Sequence, residues 1–207
     1  MKILFNNLKA QNEPFKQAFL SKAEALLEKG DYILGGEVSE FEKKFARFVG
    51  TKYAVGVSSG TDAVRLAIES VIEVDNTLII TQANTFIATV VAANQASCKA
   101  QICLVDIDDY YQMDMDDLES RLEEASVEYR DIIVIPVSMY GHTFDKRRLE
   151  ELKNKYNFKV IEDSSQAHGS KFFDSSYSGS FGDVSAFSLY PGKNLGGIGD
   201  GGVLTTN

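Results

Sequence analysis

Cysteine is scarce in this sequence. Cys98 and Cys103 are the only two among 207 residues. That is too few for a disulfide framework, and it reads as buried thiols in a reducing cytoplasm. Histidine is equally scarce, with only His142 and His168 present. No metal-ligand spacing appears among these residues, so no metal site is expected. Long apolar runs are missing, and none approaches the length of about eighteen residues that marks a membrane span. The N-terminal "MKILFNNLKAQNEPF" has neither the apolar core nor the small-residue cleavage site of a signal peptide. Positive charge is in deficit, with 21 Lys and Arg against 30 Asp and Glu and a net charge of -9. Without a basic tract, the chain is a poor partner for nucleic acid or an anionic membrane. A small anionic ligand stays open, because a local site can be electropositive inside an acidic protein.

What is present is ordinary for a globular chain: 44% hydrophobic and 25% charged residues, enough for one sizeable domain with a real core. The first fifty residues read as helices. One runs from Lys16 to Lys29 and stops at Gly30; another runs from Ser39 to Phe48 and stops at Gly50. From Tyr53 a strand–helix rhythm begins. "YAVGV" is a short strand, and "GTDAVRLAIESVI" carries apolar residues at 63, 64, 67, 68 and 71, a helical spacing. "NTLIIT", "AQICLVDI", "DIIVIPVS" and "FKVIEDS" read as further strands. "TFIATVVAANQA", "DMDDLESRLEEA" and "DKRRLEELKNKY" read as the helices between them. Such alternation predicts a three-layer αβα fold with a mostly parallel sheet.

After Ser164 the pattern turns to Ser and Gly without helical spacing. "DVSAFSLY" and "GGVLTTN" then lie too close for a parallel crossover, so one end of the sheet should be antiparallel and the sheet mixed. The expected organisation is a helical segment over 1–50 and a ligand-binding domain over 51–207. Asn207 directly follows a strand with no closing element, the pattern of a longer protein cut short.

The stretch "YPGKNLGGIGDGG" packs six glycines and Lys193 into residues 190–202. It is not a Walker A loop: Asn194 stands where Ser or Thr must hold magnesium, and Phe187 where the first Gly is required. Gly197, Gly199 and Gly202 spell a dinucleotide fingerprint, but a strand follows where a helix must start. A lysine nucleophile is the third possibility, although a lone lysine in a glycine loop is ordinarily a solvated surface residue.

The remaining signals fall at strand ends, where open α/β sheets bind ligands. In "VSSGTDAV" the amides of Gly60 and Thr61 open a helix and can hold a phosphate; a plain Ser/Thr N-cap explains the motif equally. In "VIEDSSQAH" Glu162 and Asp163 end a buried strand and need partners. Asp163 can pair with a cationic ring nitrogen, which together with a lysine Schiff base marks pyridoxal phosphate (PLP) sites; an N-cap or salt bridge is the plainer role. Gln166 can reach a ring hydroxyl. Phe86 can stack on a flat cofactor or simply fill core. Ser188 can add a phosphate contact or face solvent.

Taken in order, "YILGGEVSEFEKKFA", "YAVGVSSGTDAVRLAI", "ANTFIATVVAA", "VDID", "IPVSMYG", "VIEDSSQAHGS" and "FGDVSAFSLYPGKNLGGIGDGGVLTTN" resemble the DegT/DnrJ/EryC1/StrS family of fold-type I PLP enzymes, the sugar-nucleotide aminotransferases. The resemblance spans nearly the whole chain. It implies that Lys193 forms a Schiff base with PLP, Asp163 pairs with the pyridine nitrogen, and Gln166 meets the ring hydroxyl. It further implies that Phe86 stacks on the ring, that Gly60, Thr61 and Ser188 hold the phosphate, and that Tyr190 lies near the sugar. Relatives with dehydratase chemistry carry His at the lysine position, so Lys193 favours transamination. The implied reaction moves an amino group from glutamate to a keto-sugar nucleotide. The form "PGKNLGGIGDGG" is similar to members that aminate C3 of a 3-keto-6-deoxyhexose. Alternatives are a dehydratase, a cyclitol aminotransferase, or a silent protein of the same fold. Family sites lie at a homodimer interface, and complete members carry a smaller C-terminal domain. Activity is therefore expected of a full-length protein rather than of these 207 residues.

Overall fold

The computed structural model describes residues 3–96 and 100–207. The reading of Cys98 as a buried thiol lies outside the described residues. Among the described residues, seven α-helices and seven strands follow in chain order. Helices α1 (Leu8–Asn12), α2 (Lys16–Lys29) and α3 (Gly36–Val49) precede strand β1 (Tyr53–Val57). Gly30 and Gly50 cap α2 and α3 at φ of 70° and 90°, a left-handed conformation that glycine adopts freely. Helix α1 was not expected, and α3 starts three residues earlier than Ser39, on the extended Gly35. The glycine pair there reads as a breaker, yet helical propensity yields to the packing of Phe45, Ala46 and Val49 on the sheet.

The alternating part runs α4 (Gly60–Val71), β2 (Thr77–Gln82), α5 (Ile87–Gln95), β3 (Gln101–Val105), α6 (Met115–Glu128), β4 (Asp131–Ile135), α7 (Lys146–Tyr156) and β5 (Lys159–Asp163). Side chains placed at the helix starts accept the orphan amides: Ser59 for α4, Asp114 for α6 and Asp145 for α7. No helix forms between Ser164 and Ser180. Strands β6 (Val184–Ser188) and β7 (Gly202–Thr206) complete the sheet in the order β1-β7-β6-β5-β4-β2-β3. Only β7 is antiparallel to its neighbours, so the sheet is mixed and mostly parallel. Cys103 sits on the edge strand β3 and is only half-buried, which corrects the expectation of a buried thiol.

Apolar residues alternate across the strands and bury both faces. One core packs Ile80, Val134 and Val160 under Leu118 and Leu122 of α6 and Leu149 of α7. The other packs Ile79, Ile133 and Ile161 against Val64 and Ile68 of α4 and Ala92 of α5. Helix α3 covers Phe187 and Val203 with Phe45, whose rings meet edge-on at 5.0 Å. The result is a three-layer sandwich whose helices α4 and α5 start at the carboxyl edge of the sheet.

The loop between β5 and β6 is held by one buried carboxylate. Glu162 Oε1 accepts from Ser178 Oγ at 2.7 Å, the Gly179 amide at 2.7 Å and Ser164 Oγ at 2.9 Å, and Oε2 accepts from the Phe181 amide at 3.3 Å. Burial pushes this carboxyl up from its ordinary range, while the donors pull it down. The functional role open to Asp163 is thus not shared by its neighbour, which is a structural clamp. Glu162→Ala strands the buried Gly179 amide, the part-buried Phe181 amide and two buried serine hydroxyls, so it is expected to lower stability by about 3 kcal/mol or more. Urea unfolding of the full-length protein measures this; an unchanged midpoint would show that the clamp is dispensable.

Candidate active site

Three segments meet at the carboxyl edge of the sheet around a cavity of about 490 Å³. The turn after β1 contributes Gly60 and Thr61, the first residues of α4. The Asp62 amide is satisfied by Ser59 Oγ at 3.0 Å, which leaves the Gly60 and Thr61 amides without an acceptor among the described residues. Ser188, at the end of β6, faces them and is 9% exposed, so it does not point to solvent. The approach is close: a Cβ on residue 60 would stand 2.5 Å from Ser188 Cβ, so only glycine fits there. The two amides, the helix dipole and the Ser188 hydroxyl form an anion cradle.

The middle of the cavity is framed by β5 and its following turn. Asp163 is 5% exposed and has no cation within ion-pair distance among the described residues. Its Oδ2 accepts from Thr89 Oγ1 at 3.0 Å and its Oδ1 from the Ser165 amide at 3.1 Å. Its backbone is locked by bonds to Pro136 and Ser138, so the carboxylate is fixed in place. Gln166 lines the same wall, with its Oε1 accepting from the Tyr140 amide at 3.0 Å. Phe86 caps α5 from an extended conformation and projects into the mouth, largely exposed, so it is not core packing.

Lys193 enters from the loop after β6. Its amide bonds the Tyr190 carbonyl at 2.8 Å, and the Gly197 amide bonds the Leu189 carbonyl at 2.8 Å, which folds the glycine stretch into a compact turn. Burial lowers the Lys193 pKa, and the charge of Asp163 opposes that shift in part. Behind the loop, His168 lies 5.2 Å from the Phe187 ring, with both ring nitrogens buried and without a hydrogen-bond partner among the described residues. Burial and the nearby Lys193 charge push its pKa down to about 4, so it stays neutral at physiological pH. Tyr190 and Gly192 complete the rim. Gly60, Thr61, Phe86, Asp163, Gln166, Ser188, Tyr190 and Lys193, the residues to which the resemblance gives site roles, all line this one cavity.

A family model for the DegT/DnrJ/EryC1/StrS aminotransferase family matches residues 14–207. The chain belongs to this family. It is 39% identical over 189 residues to a dTDP-3-amino-3,4,6-trideoxy-alpha-D-glucose transaminase from Micromonospora megalomicea, covering 91% of this chain and 48% of the relative. A crystal structure of a DegT DnrJ EryC1 StrS aminotransferase from Brucella abortus superposes with a TM-score of 0.93 at 31% identity, over 100% of this chain and 55% of that one. NtdA from Bacillus subtilis, solved with bound cofactor PMP, superposes with a TM-score of 0.87 at 26% identity, over 99% of this chain and 45% of that one. The chain thus spans about half the length of the curated relatives it matches. In this family member the dinucleotide reading of the glycine stretch fails as its context required, because β7 and not a helix follows.

Some site residues escaped sequence reasoning. Thr89 sits one turn into α5, in a run that reads as apolar helix, and only the fold brings it 3.0 Å from Asp163. Ser165 acts through its amide, which any residue type supplies. His168 carries a visible signal, as one of two histidines and two residues after Gln166, but its sequence neighbours do not show that burial keeps it neutral near Lys193.

Proposed function

We propose that the full-length protein is a PLP-dependent aminotransferase that moves an amino group from glutamate to a keto-sugar nucleotide, a 3-keto-6-deoxyhexose, in deoxysugar or surface-polysaccharide biosynthesis. The observation that carries this reading is the convergence of Asp163 and Lys193, from two different strand ends, on one cavity that terminates in an anion cradle. The cavity fits the cofactor at each end. The cradle of Gly60, Thr61 and Ser188 suits a phosphate monoester, and an unpaired buried carboxylate at Asp163 suits a cationic ring nitrogen. In this reading Phe86, exposed at the mouth, covers one face of a flat ring, and Gln166 on the wall meets a ring hydroxyl.

When bound, PLP supplies an electron sink that stabilises negative charge developing on the carbon that loses a proton. The chain's own residues do the rest. Asp163 keeps a proton on the group it faces by fixing negative charge beside it. Lys193 Nζ, made less basic by burial, is the base that takes a proton from one carbon and returns it to another. His168 stays neutral and adds no opposing charge behind that amine. Tyr190, on the rim, contacts the sugar.

Residues 51–207 form the cofactor-binding large domain in this reading, with 1–50 as a helical lead-in. The protein acts as a homodimer in the cytoplasm. Helix α2 buries none of its residues, and Phe15, Phe19, Leu20 and Leu27 stand exposed along it, which supports a second copy as the cover. Mixing the full-length protein with PLP and ¹⁵N-glutamate, then with a dTDP-linked 3-keto-6-deoxyhexose, should place ¹⁵N on the sugar by mass spectrometry. A protein that binds PLP without reacting with glutamate would rule out transamination.

A further inference from the structure

Two tyrosines, linked to the cavity wall by the Tyr140 amide's bond to Gln166, hold strained backbones while remaining exposed. Tyr111 has φ 63° and Tyr140 φ 56°, two of the five non-glycine residues with positive φ in the described structure. A left-handed turn costs an ordinary residue about 1 kcal/mol or more. Burial does not offset that here, because the two side chains are 58% and 67% exposed. Their rings meet edge-to-face at 5.8 Å and 90°.

A set of amide side chains is dedicated to holding this arrangement. Gln112 is buried and ties the two turns together: its Nε2 donates to the carbonyls of Tyr110 and Met139, and its Oε1 accepts from the Met139 amide. Asn84 Nδ2 donates to the Tyr111 carbonyl at 3.0 Å, two residues before Phe86. Gln166 accepts from the Tyr140 amide at 3.0 Å and lines the cavity itself. The strained pair is therefore tied to the wall of the candidate active site through Gln166, and to the turn that leads to Phe86 through Asn84. Strain that is held this firmly and left exposed marks a surface built to meet a ligand.

We propose that the Tyr111–Tyr140 pair is the ledge on which the sugar ring of the acceptor substrate rests, a reading that builds on the aminotransferase assignment above. The chemistry selects this part of the substrate. A tyrosine presents an apolar, electron-rich face and a phenol oxygen, which match the C–H face and the hydroxyls of a deoxyhexose. A negative charge sits in the Tyr111 turn: Asp108 Oδ1 accepts from the amides of Tyr110 and Gln112 at 2.8 Å. A dicarboxylate donor or a diphosphate would be repelled there, whereas a neutral sugar is not.

The test uses the full-length, PLP-loaded protein and calorimetric titration with dTDP-3-amino-3,4,6-trideoxy-α-D-glucose, and with dTDP alone. Tyr111→Gly and Tyr140→Gly keep the left-handed backbone accessible, so both variants should fold. Each is expected to weaken binding of the amino sugar about 10-fold, the scale of one lost aromatic contact. Binding of dTDP and the reaction with glutamate should stay unchanged, and Tyr111→Phe and Tyr140→Phe should restore most of the affinity. Equal weakening for dTDP, or no weakening for the amino sugar, overturns the ledge while leaving the aminotransferase intact. A wild-type protein that reacts with glutamate but does not bind the amino sugar overturns the substrate assignment, and the ledge with it.

Discussion

Lys193→Ala in the full-length protein is expected to end covalent capture of PLP and to slow amino transfer by at least about 10³-fold. Borohydride reduction followed by intact-mass measurement should add a fixed mass to the wild type and none to the variant. The expectation rests on where Nζ sits. Burial makes the charged form costly, so a larger share of neutral, nucleophilic amine is present near pH 7 than for a surface lysine. That has a second consequence in the cofactor-free protein. A lysine whose folded pKa lies below its unfolded value of 10.5 binds its proton less well when folded. The cost to stability is fully present below the folded pKa and disappears as pH rises through the unfolded one. Lys193→Met should therefore raise the melting temperature of the apo-protein near pH 7, and the gain should vanish above about pH 10.5. A variant that retains the reduced adduct, or one that is destabilised at neutral pH, would show that Lys193 is a surface residue after all.

Much of this site could be read from the order of residues alone, for a physical reason. Strand ends of a parallel sheet all point the same way, so a buried carboxylate at the end of β5, a helix start after β1 and a lysine after β6 must share one edge. Lys193, Asp163 and Gly60 were legible because each breaks a local pattern. Asp163 is a charge ending an apolar strand, and Gly60 opens a helix that a larger residue would start better. The residues that escaped do not break patterns. Thr89 looks like any helix residue, and its 3.0 Å bond to Asp163 spans 74 positions of sequence. The positive φ of Tyr111 and Tyr140 is invisible as well, since tyrosine is not a turn signal; tertiary hydrogen bonds from Gln112, Asn84 and Gln166 impose it. Helix boundaries slipped for a related reason. Gly35 and Gly36 resemble a breaker, yet α3 begins there because its apolar face is anchored on Phe187 and Val203.

Asp163→Asn isolates the role of charge, because the amide can reproduce the hydrogen bonds. Its Oδ1 still accepts from the Ser165 amide, and its Nδ2 can donate to Thr89 Oγ1, whose own hydrogen then turns to Thr85 Oγ1 at 2.8 Å. The fold should survive, and circular dichroism and urea unfolding should match the wild type within about 1 kcal/mol. What is lost is fixed negative charge on the buried wall of the cavity, which in the proposed reading faces the cofactor ring and where preorganised electrostatics is worth about 10²–10³-fold in rate. PLP should still bind through the cradle and Lys193, so the loss should fall on turnover with glutamate rather than on cofactor occupancy. The same substitution acts on Lys193. The Asp163 charge raises the lysine's pKa against the larger effect of burial. Removing that charge should shift the pH dependence of amine acylation at Lys193 in the apo-protein to lower pH. The two readouts move independently of any structural damage, since unfolding would raise the lysine's pKa toward its ordinary value of 10.5. A shift to higher pH, or undiminished turnover in Asp163→Asn, would show that the carboxylate serves only its hydrogen bonds to Thr89 and Ser165 and not the chemistry.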